Sequence, residues 1–380
     1  MAGSNYLRAA LSLGVAAGLC GFTPLAWAQG QAKPAVTDPK QAAADDSGTM
    51  KRADSDMRKV LQKLIDLGAK PLGTIPVAEA RKQPTPADAV KAVLADEKKS
   101  MPVPKVKTQD VTYPAGSGSQ PARIYTPEVS NTAASQGLPV IVYYHGGGWV
   151  IADLDTYHAS ALALADQAKA IVVSIEYRHA PEHKFPAAHI DSFAAYKWVV
   201  DNAKQWGGNP RAIAVAGESA GGNLAINTAI MARDQKVQMP AHMLLVYPVA
   251  GVDMTTESYQ ENANAIPLSK AAMAWFVEQV LANPDDKNDP RLDIVGKANL
   301  KGLPSATVIT AEIDPLRSEG KLLADKLKAA GSNVKYENYS GATHEFFGMA
   351  AVVKDAKDAQ DVAVDELREA FKTSAQGAAR

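Results

Sequence analysis

IAVAGESAGGNLA, residues 213–225, runs an apolar segment into a glycine-flanked serine and straight on into a helical pattern. Ile213 to Ala216 are apolar without interruption, and a helical run continues from Ala220 to Ala232. Gly217-Glu218-Ser219-Ala220-Gly221 therefore occupies a strand-to-helix turn. So sharp a turn strains the serine backbone, and residues without side chains on either side let strand and helix approach while the Ser219 hydroxyl stays exposed. The helix start also points unsatisfied N–H groups at the place where negative charge would develop on an attacked carbonyl. A G-x-S-x-G pattern alone is common in loops; its position between strand and helix gives it weight.

Outward from this turn, short apolar runs alternate with helical stretches. The runs are Val140 to Tyr144, Ile171 to Ile175, Ile213 to Ala216, Met243 to Tyr247 and Thr307 to Thr310, with Val334 to Tyr339 more polar and so expected at an edge. Uninterrupted apolar strands separated by helices predict an α/β fold with a mostly parallel sheet covered on both faces. Ahead of them, Val111 to Tyr113 and Ala122 to Tyr125 flank Gly116-Ser117-Gly118 as a hairpin. The alternation breaks between Val252 and Asn299, where a helix over Ala271 to Leu281 reads as an inserted segment.

Three loops carry the chemistry. His145-Gly146-Gly147-Gly148-Trp149 follows a strand, and three successive glycines let main-chain N–H groups point into a cavity, as an oxyanion hole requires. Asp314-Pro315-Leu316-Arg317 and Gly341-Ala342-Thr343-His344 follow later strands. With Ser219 they supply nucleophile, acid and base in the order Ser, Asp, His, which differs from the order in the two best-known serine protease folds. Glu312 competes with Asp314 for the acid role, since residues two apart on a strand share a face; the loop position and the following proline favour Asp314. His344-Glu345 resembles the start of a zinc-protease H-E-x-x-H helix, but the fourth following residue is Gly348. No metal and no cofactor is assigned.

The 380 residues fit one large α/β domain with small additions. With 40 basic and 41 acidic residues, the formal charge of −1 gives no reason to expect nucleic acid as a partner. Residues 1–28 read as an export signal: Arg8, an apolar run from Ala9 to Gly21, and Ala26-Trp27-Ala28 before a cleavage site. The run is shorter than the roughly 20 residues that cross a bilayer. The expectation is therefore export, periplasmic or secreted, with no stable membrane insertion of the mature chain. Cys20, the only cysteine, would leave with the signal and take disulfides and thiol chemistry with it. Residues 29–49 read as a flexible leader. Residues 50–104 read as N-terminal cap helices, with Met57, Val60, Leu61, Leu64 and Ile65 and then Ala89, Val90, Val93 and Leu94 at helical spacing. The catalytic domain then spans 105–380 with a cap insert near 255–290.

HGGGW at 145–149, YRHAPEHKFPAA at 177–188, GESAGGNLA at 217–225, DPLRSEG at 314–320 and GATHEF at 341–346 together resemble the bacterial hormone-sensitive-lipase-like esterases of the α/β-hydrolase superfamily. The resemblance covers roughly residues 105–350. It implies the α/β-hydrolase fold with a small helical cap, Ser219 as nucleophile, His344 as base, Asp314 as acid, and the N–H groups of Gly147, Gly148 and Ala220 as oxyanion hole. It implies hydrolysis of short to medium acyl esters through an acyl-enzyme, the substrate being a small ester. An acyltransferase or amidase would use the same residues, and the fold includes non-catalytic hormone receptors that have lost the base. Two positions depart from the family pattern. Glu218 stands where Asp or Thr is common and would contact the pocket wall with a longer reach. His179 stands where Leu is common, and it, His183 and His189 read as structural. His145, Tyr177, Arg178 and Asp191 read as loop-bracing residues.

Overall fold

The computed structural model describes residues 48–116, 118–129 and 137–377. The export signal at 1–28 and nearly all of the leader at 29–49 lie outside the described residues. The strands are β1 (Val106–Ala115), β2 (Gly118–Pro127), β3 (Leu138–Tyr144), β4 (Ile171–Ile175), β5 (Gly208–Glu218), β6 (His242–Val246), β7 (Ser305–Ile313) and β8 (Val334–Thr343). They form one sheet in the order β1-β2-β4-β3-β5-β6-β7-β8. The hairpin β1–β2 is antiparallel with Val111 opposite Ala122, and β2 is antiparallel to β4; the remaining pairs are parallel.

The longer helices are α1 (Ser55–Asp66), α2 (Pro86–Asp96), α3 (His158–Ala168), α4 (Ala187–Asn202), α5 (Ala220–Asp234), α6 (Lys270–Val280), α7 (Arg317–Ala329) and α8 (Lys354–Gly377). Side chains alternate across the pleat, so each central strand feeds two cores. Val140, Val142 and Tyr144 join one cluster with Phe193 of α4, Leu224 of α5 and Leu323 of α7. Ile141 and Tyr143 join the other, with Leu164 of α3 and Ala359 and Leu367 of α8. Both faces are covered, which is why the strands are apolar throughout instead of alternating. Among the described residues no helix is long and apolar enough to cross a membrane.

Helices α1 and α2 bury Met57, Val60, Leu61, Val90 and Val93 in the second cluster beside Phe346 and Phe347. A capping box starts α2: Thr85 Oγ1 accepts from the Asp88 N–H at 3.3 Å, and Asp88 Oδ2 accepts from the Thr85 N–H at 3.1 Å. Such a cap is worth about 1 kcal/mol.

Most strands extend beyond their sequence pattern, and two of them do so with a shift of register. β5 starts at Gly208, before the apolar run at Ile213, and its pairing with β3 shifts register between Leu138 and Val140. β8 includes Gly341-Ala342-Thr343, expected as a loop. Gly341 has φ +75°, the register with β7 shifts there, and pairing resumes with Ile313 opposite Thr343. Parallel strands put their carboxyl ends on one edge, so the chain after β3, β5, β7 and β8 gathers there.

Candidate active site

Ser219 sits on the turn between β5 and α5 with φ +56° and ψ −119°. A non-glycine residue held there stores on the order of 1–3 kcal/mol of strain, which the surroundings must offset. They do so through close contact. A Cβ at Gly217 would lie 2.1 Å from the Gly221 carbonyl oxygen, and one at Gly221 would lie 1.9 Å from that of Tyr144. The Ser219 N–H donates to the Val246 carbonyl at 2.9 Å, and the Val249 N–H donates to the Ser219 carbonyl at 3.1 Å.

His344 Nε2 lies 3.0 Å from Ser219 Oγ, and His344 Nδ1 lies 2.7 Å from Asp314 Oδ2. All three side chains are buried. The other oxygen of Asp314 accepts from the Leu316 N–H at 2.9 Å. Asp314 can only accept, so His344 Nδ1 carries the proton and Nε2 is free to receive one from Ser219. Glu312 is engaged elsewhere. Its Oε2 accepts from Ser340 Oγ and the Gly341 N–H, both at 2.9 Å, and its Oε1 faces Arg52 at 3.6 Å. It holds the bend of β8 and leaves Asp314 as the carboxylate on the imidazole.

Burial alone would lower the basicity of His344, but the Asp314 carboxylate, with Glu345 and Glu218 behind it, raises the imidazole above the ordinary histidine value. Glu345 Oε1 is 3.9 Å from His344 Nε2, and Tyr157 donates its hydroxyl to both Glu345 oxygens at 2.7 and 2.8 Å. Partial burial raises the Glu345 carboxyl above the usual carboxylate range. Glu218, expected on the pocket wall, is instead enclosed. Tyr143 and Tyr247 donate their hydroxyls to its two oxygens, and burial pushes it up to about 7.

The glycine loop is braced by Tyr177 and Arg81, and Arg178 pins the segment that carries Tyr177. Tyr177 stacks on His145 at 4.4 Å between ring centroids and donates its hydroxyl to the carbonyls of His145 and Gly146 at 2.9 and 3.1 Å. Arg178 makes a two-point ion pair with the fully buried Asp191 at 2.7 and 2.8 Å. Arg81, from the N-terminal segment, donates to the carbonyls of Val150 and Ala180 and pairs with Glu182. Gly147 and Gly148 have φ +90° and +60°. A Cβ at Gly148 would strike the ring of Phe276 on α6 at 2.2 Å, so the inserted helix lies directly against the loop. Among the described residues no backbone or side-chain acceptor takes the N–H of Gly147 or Gly148. The Ala220 N–H begins a helix, where such groups have no partner within the helix.

His189 lies under this loop with Nε2 2.9 Å from Asn223 Oδ1, and burial lowers it to about 4, so it stays neutral. Four features had no clear signal in the sequence: the Tyr157–Glu345 pair, the enclosure of Glu218, the reach of Arg81, and Phe276 over Gly148. Each depends on a tertiary contact. Only Glu345, adjacent to His344, could have been weighed as a charge neighbour.

Residues 141–348 match the model of a family described as alpha/beta hydrolase fold. The carboxylesterase NlhH of Mycobacterium tuberculosis is 41% identical over 275 residues, which is 71% of this chain and 84% of that protein. The ethyl acetate hydrolase of Pseudomonas putida is 30% identical over 301 residues, covering 79% and 92%. Among solved structures, the hyperthermophilic esterase from the archaeon Pyrobaculum calidifontis superposes with a TM-score of 0.73 at 35% identity, covering 84% of this chain and 98% of that one.

Proposed function

This chain belongs to the alpha/beta hydrolase fold family, and from that premise we propose that it is a serine carboxylic ester hydrolase in which Ser219, His344 and Asp314 act as nucleophile, base and orienting acid. The observation that carries this reading is the continuous line from Asp314 through His344 to Ser219, at 2.7 and 3.0 Å. Ser219 Oγ attacks the ester carbonyl carbon while its proton passes to His344 Nε2. The N–H groups of Gly147, Gly148 and Ala220 receive the negative oxygen. The carbon–oxygen bond to the alcohol breaks as Nε2 returns the proton to the leaving oxygen. Water, deprotonated by the same nitrogen, then releases the acid and regenerates the Ser219 hydroxyl.

Short to medium acyl groups are the proposed substrates. The position of Phe276 against Gly148 supports this, because it puts bulk beside the reacting carbonyl, as does the likeness to an ethyl acetate hydrolase. The N-terminal helices and the insert near 255–290 serve as a small cap. Each fitted methylene adds about 0.8 kcal/mol of burial, so activity on nitrophenyl esters rises over the first few carbons and then falls. Ser219→Ala should lower turnover by about 10³-fold or more and abolish one-to-one labelling by a fluorophosphonate. A variant that keeps a tenth of the activity defeats the assignment, and a maximum at palmitoyl defeats the chain-length proposal alone. The chain is proposed to be exported and cleaved before Gln29. N-terminal sequencing of protein purified from its source checks this, and an intact Met1 is the contrary result.

A further inference from the structure

His145, Glu176 and His179 each present one donor atom within 4.8 Å of the other two. Glu176 Oε1 lies 3.1 Å from His145 Nε2 and 3.2 Å from His179 Nε2. The protonation pattern of His145 is constrained by its other nitrogen. Nδ1 is 2.9 Å from the Gly146 carbonyl, which can only accept, so Nδ1 holds the ring proton. The neutral ring then aims the Nε2 lone pair at a carboxylate oxygen. Two electron-rich atoms this close need a positive charge between them, either a second proton or a cation.

His179 decides between these. One proton on Nε2 would satisfy the His145–Glu176 pair, yet His179 brings a third donor to the same oxygen, and its buried Nε2 makes no directed hydrogen bond among the described residues. Two imidazole nitrogens and a carboxylate oxygen are a donor set suited to Zn²⁺ and its neighbours, and they are poorly matched to Mg²⁺ or Ca²⁺. Tetrahedral ligands at zinc bond lengths stand about 3.3 Å apart, close to the two separations observed. The Gly146 carbonyl on Nδ1 supplies the outer hydrogen bond that orients a ligating histidine. Glu176 and His179 are each 17% exposed while His145 is fully buried, so an ion would enter from their side.

We propose that His145, Glu176 and His179 form a binding site for a divalent transition metal, zinc in type, at the foot of the glycine loop. An ion there ties the end of β4 to His145 and so steadies the loop that presents Gly147 and Gly148. It touches neither Ser219 nor His344, and the proposal stands or falls independently of the esterase reading.

The test uses untagged full-length protein, stripped with a chelator and titrated calorimetrically with Zn²⁺. Co²⁺ serves as a coloured probe of coordination. The expected result is one equivalent of Zn²⁺ bound, visible Co²⁺ bands of low-coordinate type, no Mg²⁺ binding, and a rise in melting temperature with Zn²⁺. His179→Leu should weaken Zn²⁺ binding by at least about tenfold and remove the melting shift. His179→Asn, which keeps a polar side chain, serves the same purpose should the leucine variant fold poorly. Absence of stoichiometric binding to the wild type overturns the proposal, and so does binding that both His179 variants leave unchanged.

Discussion

Replacing Asp314 by Asn keeps the shape of the site and removes one charge, and the hydrogen bonds around residue 314 set the consequence. The Leu316 N–H donates to Asp314 Oδ1 at 2.9 Å, so the amide turns its oxygen there and its NH2 towards His344 Nδ1, now 2.7 Å from the carboxylate. Nδ1 must then accept, the ring proton moves to Nε2, and Nε2 can no longer take the proton of Ser219. A wrong tautomer of this kind costs about 10⁴ in turnover, or ~5.5 kcal/mol of transition-state stabilisation. The amide escapes by flipping, which sets its NH2 against the Leu316 N–H. That conflict costs roughly 1–3 kcal/mol, and the imidazolium still lacks its counter-charge, so the floor of the loss is about 10²-fold. The assay is turnover of 4-nitrophenyl butyrate at pH 8, normalised to active sites by fluorophosphonate titration. Glu312→Gln is the control, because its amide oxygen still accepts from Ser340 and Gly341; it should stay within about threefold of wild type. An Asp314→Asn enzyme within tenfold of wild type would refute the reasoning, and the larger loss appearing in Glu312→Gln would reassign the acid.

Two further outcomes concern carboxyl groups outside the triad. Glu345 lies 3.9 Å from His344 Nε2 and favours the imidazolium; Glu345→Gln removes that charge, lowers the His344 pKa and moves the acid limb of the kcat/KM profile down by roughly 0.5–1.5 pH units, and an unmoved limb would show the charge to be screened. Glu319 is buried with one oxygen accepting from the Ala250 N–H at 2.8 Å and the other without a partner among the described residues, and burial pushes it up to about 8. The folded chain therefore holds a proton that the unfolded chain releases above about 4.5, so stability falls as pH rises from there towards 8. Glu319→Gln mimics the protonated form; it should be near neutral at pH 4.5 and stabilising by on the order of 3 kcal/mol at pH 7, read from urea unfolding, and equal effects at both pH values would contradict the burial argument.

The legible parts of the fold were those encoded by local pattern. Ile171–Ile175 matches its apolar run residue for residue because both faces of β4 are covered. Ser219 and its flanking glycines were legible because a backbone this tight admits no Cβ at 217 or 221. The bend at Gly341 was not, since whether a glycine ends a strand or kinks it depends on the neighbouring strand offering Ile313 to Thr343. The choice between Glu312 and Asp314 was likewise open, because alternation gives a shared face without saying which carboxylate reaches the imidazole. The enclosure of Glu218 escapes local pattern for a similar reason: its partners Tyr143 and Tyr247 lie on other segments, 75 and 29 residues away.

Arg81 joins the N-terminal segment to Val150, Ala180 and Glu182 across gaps of 69 to 101 residues. It stands outside the 141–348 span that the family model matches, as do α1, α2, β1, β2 and α8. That span is thus not by itself a unit of folding. Trimmed to it, the protein would bare the sheet face that Ala359 and Leu367 cover and lose the guanidinium that clamps the glycine loop. Any fusion or minimal version of this protein has its boundaries set by those outlying pieces, and changes at Arg81 would alter the loop's stiffness without touching a reacting atom.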